Sequence, residues 1–467
     1  MAALGTTENP LRVAVIGSGP AGFYAAGHLL KSKSHPDLVA QVDLYDRLPT
    51  PWGLVRAGVA PDHPNIKAVS RVYEKTAQHP GFRFFGHIEL GTDVSRDELV
   101  ERYHAVVYAV GAQTDRRMGI PGEELAGSWP ATAFVAWYNG HPDYCDLEFD
   151  LSGERAVVVG NGNVAADVAR MLLLTRDELA ATDVADYALE ALAQSSIEEV
   201  VMLGRRGPAQ AAFTNPELLE LGELTDADVF VTQEDVALDP LSSEWLESDA
   251  ASATARKNVE ILHGYSAQEA AGKRRRIVLR FLVSPLEILG EERVEGVRIC
   301  RNELVAGKAG RLSAQPTGQT EELAASIVFR SIGYKGTPLP GVPFDDGVGT
   351  IPNEEGRIDG RPGEYTVGWI KRGPSGIIGT NKRDAQETVN HLLADFDAGV
   401  LLDPADPDPE AIEALLTERK PDHVTYAGWE AIDHAEKTAG EPHGRPRVKH
   451  TTYDELLQAA RDAQRVG

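Results

Sequence analysis

The chain has 467 residues, ordinary globular hydrophobicity and a net charge of −25, which allows two or three domains and opposes nucleic-acid binding. Its two cysteines, Cys145 and Cys300, form no C-x-x-C, so no zinc site, iron–sulfur cluster or redox dithiol is encoded, and no bound metal is expected. The first ten residues lack the basic and apolar regions of a signal peptide, and no apolar run reaches the roughly 18 residues of a membrane span.

Val13 to Ile16 is apolar and half valine, and predicts a short buried strand. The next six residues, Gly17-Ser18-Gly19-Pro20-Ala21-Gly22, read G-x-G-x-x-G, and a helical stretch follows from Phe23 to Lys31. Strand, glycine turn and helix make a dinucleotide fingerprint in its required context. Gly17 permits the tight turn, Gly19 lets backbone approach a pyrophosphate, and Gly22 lets helix and strand pack closely. The free N–H groups of the turn and the helix dipole then face the phosphates. A second strand, Val39 to Tyr45, ends at Asp46. A carboxylate there can accept hydrogen bonds from a ribose hydroxyl, so FAD or NAD is implied. The bland alternative for Asp46, a solvated strand end, is the lesser reading at this spacing from Gly22.

Residues 49–64 hold four prolines and two glycines, a rigid irregular loop of the kind that carries function. His63 lies in it and by itself reads as structural. Ala105 to Ala112 is a further strand with a glycine exit. Asp115 to Arg117 then opens a crossover.

A second fingerprint follows. Ala156 to Val159 is a strand, Gly160-Asn161-Gly162-Asn163-Val164-Ala165 is the turn, and Ala166 to Thr175 is a helix. G-x-G-x-x-A is an accepted variant, and two such turns in one chain are far more specific than one. The next strand, Val200 to Gly204, runs into Arg205-Arg206 where an NAD site would hold a carboxylate. Guanidinium groups there suit a 2′-phosphate. The first turn therefore reads as an FAD site and the second as an NADP site. Thr214 or Asn215 is placed to cap a helix starting near Pro216, with Glu217 in its first turn. Residues 239–252 read as a surface excursion, and 277–284 with 294–301 as paired strands, tipped by the basic run 273–276. The strand from Ile327 to Tyr334 mirrors the one ending at Gly111, so the halves share one plan. A strand from Glu364 to Trp369 leads into a glycine-rich turn, then a helix from about Arg383 to Leu393. An acidic linker at 403–409 precedes a small helical tail.

The stretches GSGPAGFY, GLVRAGVAPDHP, IPGEEL at 120–125, GNGNVA with DVAR, GRRGP with QAAFT, and GWIKRGPSGIIGTN together resemble the adrenodoxin reductase family of NADPH–ferredoxin reductases, mycobacterial-type members in particular. The resemblance runs from Val13 to the segment at 440–447. It implies an α/β fold of two doubly wound Rossmann-like dinucleotide-binding domains, the NADP domain inserted in the FAD domain. Residues 1–114 and 333–467 would form the FAD domain, the latter with a C-terminal tail, and 115–332 the NADP domain. The resemblance implies FAD contacts at Ala21, Asp46, Leu54, Leu90, Trp369, Gly376, Ile377 and Ile378, beside Gly17, Gly19 and Gly22 of the first turn. It implies NADP contacts at Asn161, Gly162, Asn163, Val164, Arg205, Arg206, Glu217 and Gly376. It also implies catalytic roles for His63, Asp167 and Glu217 near the meeting point of flavin and nicotinamide. Asp46 stands where some relatives carry glutamate, so its shorter arm must still reach the ribose. The implied activity is hydride transfer from NADPH to FAD, then single-electron transfer to a ferredoxin, by a cytoplasmic monomer. The alternatives are an NADPH-dependent flavin monooxygenase or a diaphorase with another acceptor. A flavin thiol reductase lacks its cysteine pair here, and a non-enzymatic flavin sensor would not turn over NADPH. An acidic ferredoxin meeting so acidic a chain needs local positive charge. Lys31, Lys33 and the run 273–276 are candidates, and the resemblance adds Arg256 and Lys257.

Overall fold

The structure is a computed structural model that describes residues 2–307 and 312–464. The chain divides into two compact units. One comprises Met1–Thr114, Asn139–Cys145 and Tyr334–Gly467; the other comprises Asp115–Tyr138 and Asp146–Gly333.

The first unit is built on a seven-stranded sheet. Its spatial order is Asn353–Glu354, Arg357–Ile358, Glu364–Thr366, Ala105–Tyr108, Leu11–Ile16, Ala40–Asp46 and Phe82–Gly86. The strands from Glu364–Thr366 to Phe82–Gly86 run parallel, and the two short edge strands are antiparallel. All six residues of Leu11–Ile16 are buried, as expected for a central parallel strand covered on both faces. Alternation sorts them. Val13 and Val15 join one core with Phe23, Leu29, Ala385, Val389 and Trp429, while Ala14 and Ile16 join the other with Tyr45, Leu99 and Tyr103.

The second unit holds a six-stranded parallel sheet in the order Ser128–Pro130, Ile327–Arg330, Arg155–Val159, Glu199–Gly204, Arg275–Phe281 and Ala227–Phe230. A three-stranded antiparallel sheet, Val283–Leu289, Gly296–Ala306 and Leu312–Ala324, completes it.

Three sequence expectations need correction. The run 277–284 is two strands, not one partner of a hairpin. Leu282 takes φ +55°, and the chain breaks there. Arg275–Phe281 pairs with Glu199–Gly204, and only Val283–Leu289 pairs with Gly296–Ala306. The 239–252 excursion contains a helix, Pro240–Glu247, capped by the Asp239 carboxylate accepting from the Ser242 N–H at 3.0 Å. The helical tail is no appendage. Pro409–Arg419, Tyr426–Gly440 and Tyr453–Gln464 are helices that place Ile412, Leu416, Trp429, Ile432, Leu456 and Leu457 in the two cores of the first unit.

Candidate functional site: two glycine turns

In the first unit, Gly17 takes φ +107° at the end of its strand, and its N–H donates to the Tyr45 carbonyl at 2.8 Å. A Cβ on Gly17 would sit 2.5 Å from the Ala109 carbonyl oxygen, and one on Gly22 would fall on the Gly17 carbonyl oxygen. Glycine is therefore required at both for the turn to close. Gly19 differs. It precedes the helix Pro20–Leu30 with extended backbone (φ −73°, ψ −176°), and a Cβ there would meet nothing within 4 Å. Its missing side chain leaves open space at a helix N-terminus, the seat a pyrophosphate needs. Asp46 is half-buried and folds back on this turn. Its Oδ2 accepts from the Ser18 N–H at 2.9 Å and the Ser18 hydroxyl at 2.5 Å, and its Oδ1 from the Leu48 N–H at 3.0 Å. Oδ1, which accepts a single bond, keeps acceptor capacity for a ribose hydroxyl.

Two more segments close on the turn. Trp52 donates its N–H to the Ser18 carbonyl at 2.9 Å, and a Cβ on Gly53 would lie 3.0 Å from Gly19 Cα. Trp52 holds φ +84°, a left-handed conformation costing about 1–3 kcal/mol for a residue of this kind. Leu54 follows in the one-turn helix Leu54–Ala57 and is 37% exposed. On another side, Gly368 takes φ +79°, and a Cβ there would lie 2.7 Å from Ala21 Cβ. The Gly368 N–H donates to Asp384 Oδ2 at 2.5 Å, and Arg372 pairs with the same oxygen at 3.2 Å. Trp369 follows, half-buried, with its ring centroid 5.2 Å from that of Tyr334. Its indole N–H is buried without an acceptor among the described residues. Gly376 takes φ +82°, Ile377 is 64% exposed, and Ile378 packs on the core ahead of the helix Thr380–Asp397. Leu90 is 8% exposed with its side chain in the second core. An open glycine at a helix N-terminus, outward-facing Leu54 and Ile377, and an unspent indole donor fit a ligand with a pyrophosphate and a flat ring system, as FAD has.

The second unit repeats the device. Gly160 takes φ +140°, its N–H donates to the Leu203 carbonyl at 2.9 Å, and a Cβ there would overlap the Ser331 carbonyl oxygen. The helix Asn163–Leu173 begins directly after Gly162. Asn163 Oδ1 accepts from the Thr214 N–H at 2.8 Å, and the Asn161 carbonyl from the Ala212 N–H at 2.9 Å, so the 211–214 segment is stapled to the turn. Val164 is half-buried in the first helical turn. Thr214 occupies the cap position of the helix Asn215–Glu220, but its side chain accepts no capping bond from the helix. Arg205 and Arg206 leave the carboxyl end of Glu199–Gly204, their carbonyls held by Asn302 Nδ2 at 2.9 Å and the Leu282 N–H at 3.1 Å. The Arg205 side chain is exposed, and Arg206 is half-buried.

Asp167 and Glu217 are brought together by a residue the sequence reading passed over. Arg170 is 2% exposed and sits 3.0 Å from Asp167 Oδ1, 3.7 Å from Glu217 Oε2 and 3.5 Å from Glu220 Oε2. The signal was its i, i+3 spacing from Asp167 on a helix. His63 is in the first unit, half-buried, immediately before the short helix Pro64–Lys67, and its N–H donates to the Ala60 carbonyl at 3.0 Å. Gly53 and Gly368 were also passed over, because nothing local says what they approach.

The basic run is engaged by partners of its own unit, although Arg274 and Arg276 stay exposed. Lys273 donates to the Leu224 carbonyl at 2.6 Å, Arg274 to Asp226 at 3.2 Å, Arg275 to the Leu174 carbonyl at 3.3 Å, and Arg276 to Glu199. Arg256 donates to the carbonyls of Leu246 at 2.9 Å and Ser248 at 2.7 Å. Lys257 is ion-paired with Glu260 at 2.8 Å on the surface.

Residues 11–206 match the family described as pyridine nucleotide-disulphide oxidoreductase. That stretch contains a single cysteine, Cys145. Over 456 residues, 96% of this chain and 99% of the relative, it is 52% identical to NADPH-ferredoxin reductase FprA of Mycobacterium tuberculosis. It is 42% identical over 473 residues to the mitochondrial NADPH:adrenodoxin oxidoreductase of Arabidopsis thaliana, covering 97% of this chain and 96% of the relative. The solved structure of M. tuberculosis FprA in complex with NADPH superposes with a TM-score of 0.92 at 51% identity, over 97% of this chain and 100% of that one. By turn chemistry, topology and near full-length identity alike, this chain belongs to the NADPH–ferredoxin reductase family that includes the adrenodoxin oxidoreductases.

Proposed function

We propose that the chain is an FAD-dependent NADPH–ferredoxin oxidoreductase, its first unit holding FAD and its second NADP(H). The observation that carries this is the pair of glycine turns on two separate parallel sheets, the second followed by Arg205-Arg206 rather than a carboxylate. When bound, FAD supplies the step from a two-electron hydride donor to a one-electron acceptor. The chain supplies binding and placement. Gly17, Gly19, Ala21 and Gly22 seat the pyrophosphate, Asp46 accepts from the ribose, and Leu54, Leu90, Gly376, Ile377 and Ile378 are further contacts for FAD. Trp369, with its indole donor unspent, would cover a face of the flavin. Asn161 to Val164 seat the NADP pyrophosphate, and Arg205 and Arg206 grip its 2′-phosphate.

Arg170 stands between the two buried carboxylates, 3.0 Å from Asp167 and 3.7 Å from Glu217. With His63 they are the proposed catalytic residues. Names in the family favour a ferredoxin acceptor over the monooxygenase or diaphorase alternative. We read the working species as a monomer. Two free cysteines suit a reducing cytoplasm, and no described helix is long and apolar enough to cross a membrane.

The test is NADPH-driven reduction of cytochrome c with and without ferredoxins from the same genome, after chromatographic identification of the flavin released by heat. A rate that requires a ferredoxin, from a protein carrying FAD, is expected. FMN, no flavin after reconstitution, or indifference to every ferredoxin would overturn the assignment.

A further inference from the structure

Trp52 is left-handed, a conformation its own sequence does not favour, and it adjoins the open glycine of the first turn. Strain of this kind persists only where the surroundings over-determine it. The surroundings come from residues 426–450. Trp429 is 1% exposed and meets the Trp52 ring edge-on, with centroids 4.8 Å apart. The Arg56 guanidinium stands 5.3 Å from the same Trp429 ring. Seven residues further along that helix, on the same face, the fully buried Glu436 takes both arms of Arg56, at 2.8 and 2.5 Å. Its remaining acceptor capacity is filled by Arg447 at 2.9 Å and the His450 N–H at 3.0 Å. Arg447 also reaches Asp433 at 2.8 Å. Lys449 donates to the Asn139 carbonyl at 3.0 Å and to the Arg56 carbonyl at 3.4 Å, so the loop is held by main chain and side chain together.

We propose that Glu436 is a positioning residue for the cofactor site: its buried carboxylate, shared by Arg56 and Arg447, holds the strained Trp52–Ala57 turn against Ser18 and Gly19. Both of its oxygens are taken by Arg56, Arg447 and the His450 N–H, which leaves none for a cofactor. It acts through Arg56 and Trp52 on the shape of the seat, and the proposal rests on reading that seat as an FAD site. Removing the charge while keeping the shape leaves two buried guanidinium groups without their shared partner, and Arg56 is then driven outward.

The test uses the full chain and Glu436→Gln, with Glu436→Asp as the conservative variant. Trypsin cuts after arginine, and Arg56 is shielded in the parent, its side chain 9% exposed. The apo-protein of Glu436→Gln is expected to be cleaved after Arg56 at least tenfold faster than the parent, with cleavage elsewhere unchanged. Its dissociation constant for FAD is expected to rise at least tenfold, while KM for NADPH stays within twofold. Glu436→Asp should recover most of both effects. If Glu436→Gln yields no folded chain, Trp429→Phe carries the same two measurements. Arg56 as protected as in the parent, or cleavage accelerated at all sites alike, overturns the proposal. The proteolysis is read without flavin, so a parent that carries no FAD would sink the cofactor assignment and leave the clamp to be judged on its own result.

Discussion

Gly19 and Gly22 are both glycines of one turn, yet substitution by alanine should separate binding from folding. At Gly19 the backbone is extended and ordinary for alanine, and the new methyl meets nothing within 4 Å. Removing a glycine at such a position stabilises by about 0.4–1 kcal/mol through the unfolded chain. The methyl does, however, occupy the open space in front of the N-terminus of Pro20–Leu30. A pyrophosphate displaced there loses charge-assisted bonds worth about 1.5–3 kcal/mol each. One such bond is roughly a tenfold to hundredfold loss of FAD affinity, since about 1.4 kcal/mol is a decade. At Gly22 the methyl falls on the Gly17 carbonyl oxygen, so the helix must lift from its strand. Overpacking of this kind costs about 1–3 kcal/mol or more. The assay pairs apo-protein Tm with FAD titration followed by flavin fluorescence. Gly19→Ala should keep or raise Tm and bind FAD at least tenfold more weakly; Gly22→Ala should lower Tm. A Gly19→Ala protein with parental FAD affinity, or with a Tm lowered as far as that of Gly22→Ala, would refute the reasoning.

Replacing Arg205 and Arg206 together by alanine should raise KM for NADPH at least tenfold, at about 1.5–3 kcal/mol per charged bond, and leave NADH nearly unchanged. An equal loss for both coenzymes in steady-state kinetics would show the pair to be structural. Trp369→Ala should alter the hydride-transfer rate and the NADPH-to-NADH preference in stopped flow; no change in either counts against a covering role. Burial pulls the His141 imidazole down to about 4, against the opposing pull of Asp143, with Arg47 and Arg56 adding to the depression. A depressed folded value means that this stability is fully present above about 6.5, the unfolded value, and is lost as pH falls toward 4. The slope is up to about 1.4 kcal/mol per pH unit, and His141→Gln should flatten it in denaturation measured across that window. Ferredoxin reduction should rise and then fall with salt, as long-range repulsion and then local attraction are screened over roughly 10 Å at 0.1 M. Because Arg256 is committed to the end of Pro240–Glu247, reversal of Lys257 alone is the clean probe. Lys257→Glu should remove the falling limb and spare turnover with ferricyanide; unchanged ferredoxin kinetics at all salt concentrations would dismiss this docking site.

What was legible in the sequence is what sterics write locally. Gly17, Gly22 and Gly160 announce themselves because the turn admits no Cβ, and the strand before each turn ends in a buried apolar run, Val13–Ile16 and Ala156–Val159. The helix at Pro240 was also written, in an aspartate cap followed by proline at the first helical position, and was passed over in favour of its polar composition. The break at Leu282 was not written, since a leucine with positive φ is dictated by two sheets pulling the chain apart. Trp52, Gly53 and Gly368 were silent for the same reason. Each matters for what lies opposite it, and Ser18, Gly19 and Ala21 are distant in sequence from Gly368. Trp429 and Ile432 belong to what reads only as a small helical tail until the sheet they cover is seen.

The strand Glu364–Thr366 lies beside Ala105–Tyr108 in the first sheet, and Trp429 closes one of its faces. Between neighbours in that sheet the ribosome must add more than 250 residues. At about 5–20 residues per second the early strands wait some 10–50 s for their partner. During that interval Ala105–Tyr108, four buried apolar-faced residues, presents an unpaired edge, while the six-stranded sheet, complete by Arg330, can close first. The inserted unit can therefore close while its host, split on either side of it in the sequence, is still half made. Nascent chains of this protein should depend on holdase chaperones through the middle of translation and lose that dependence once residues beyond Trp429 emerge.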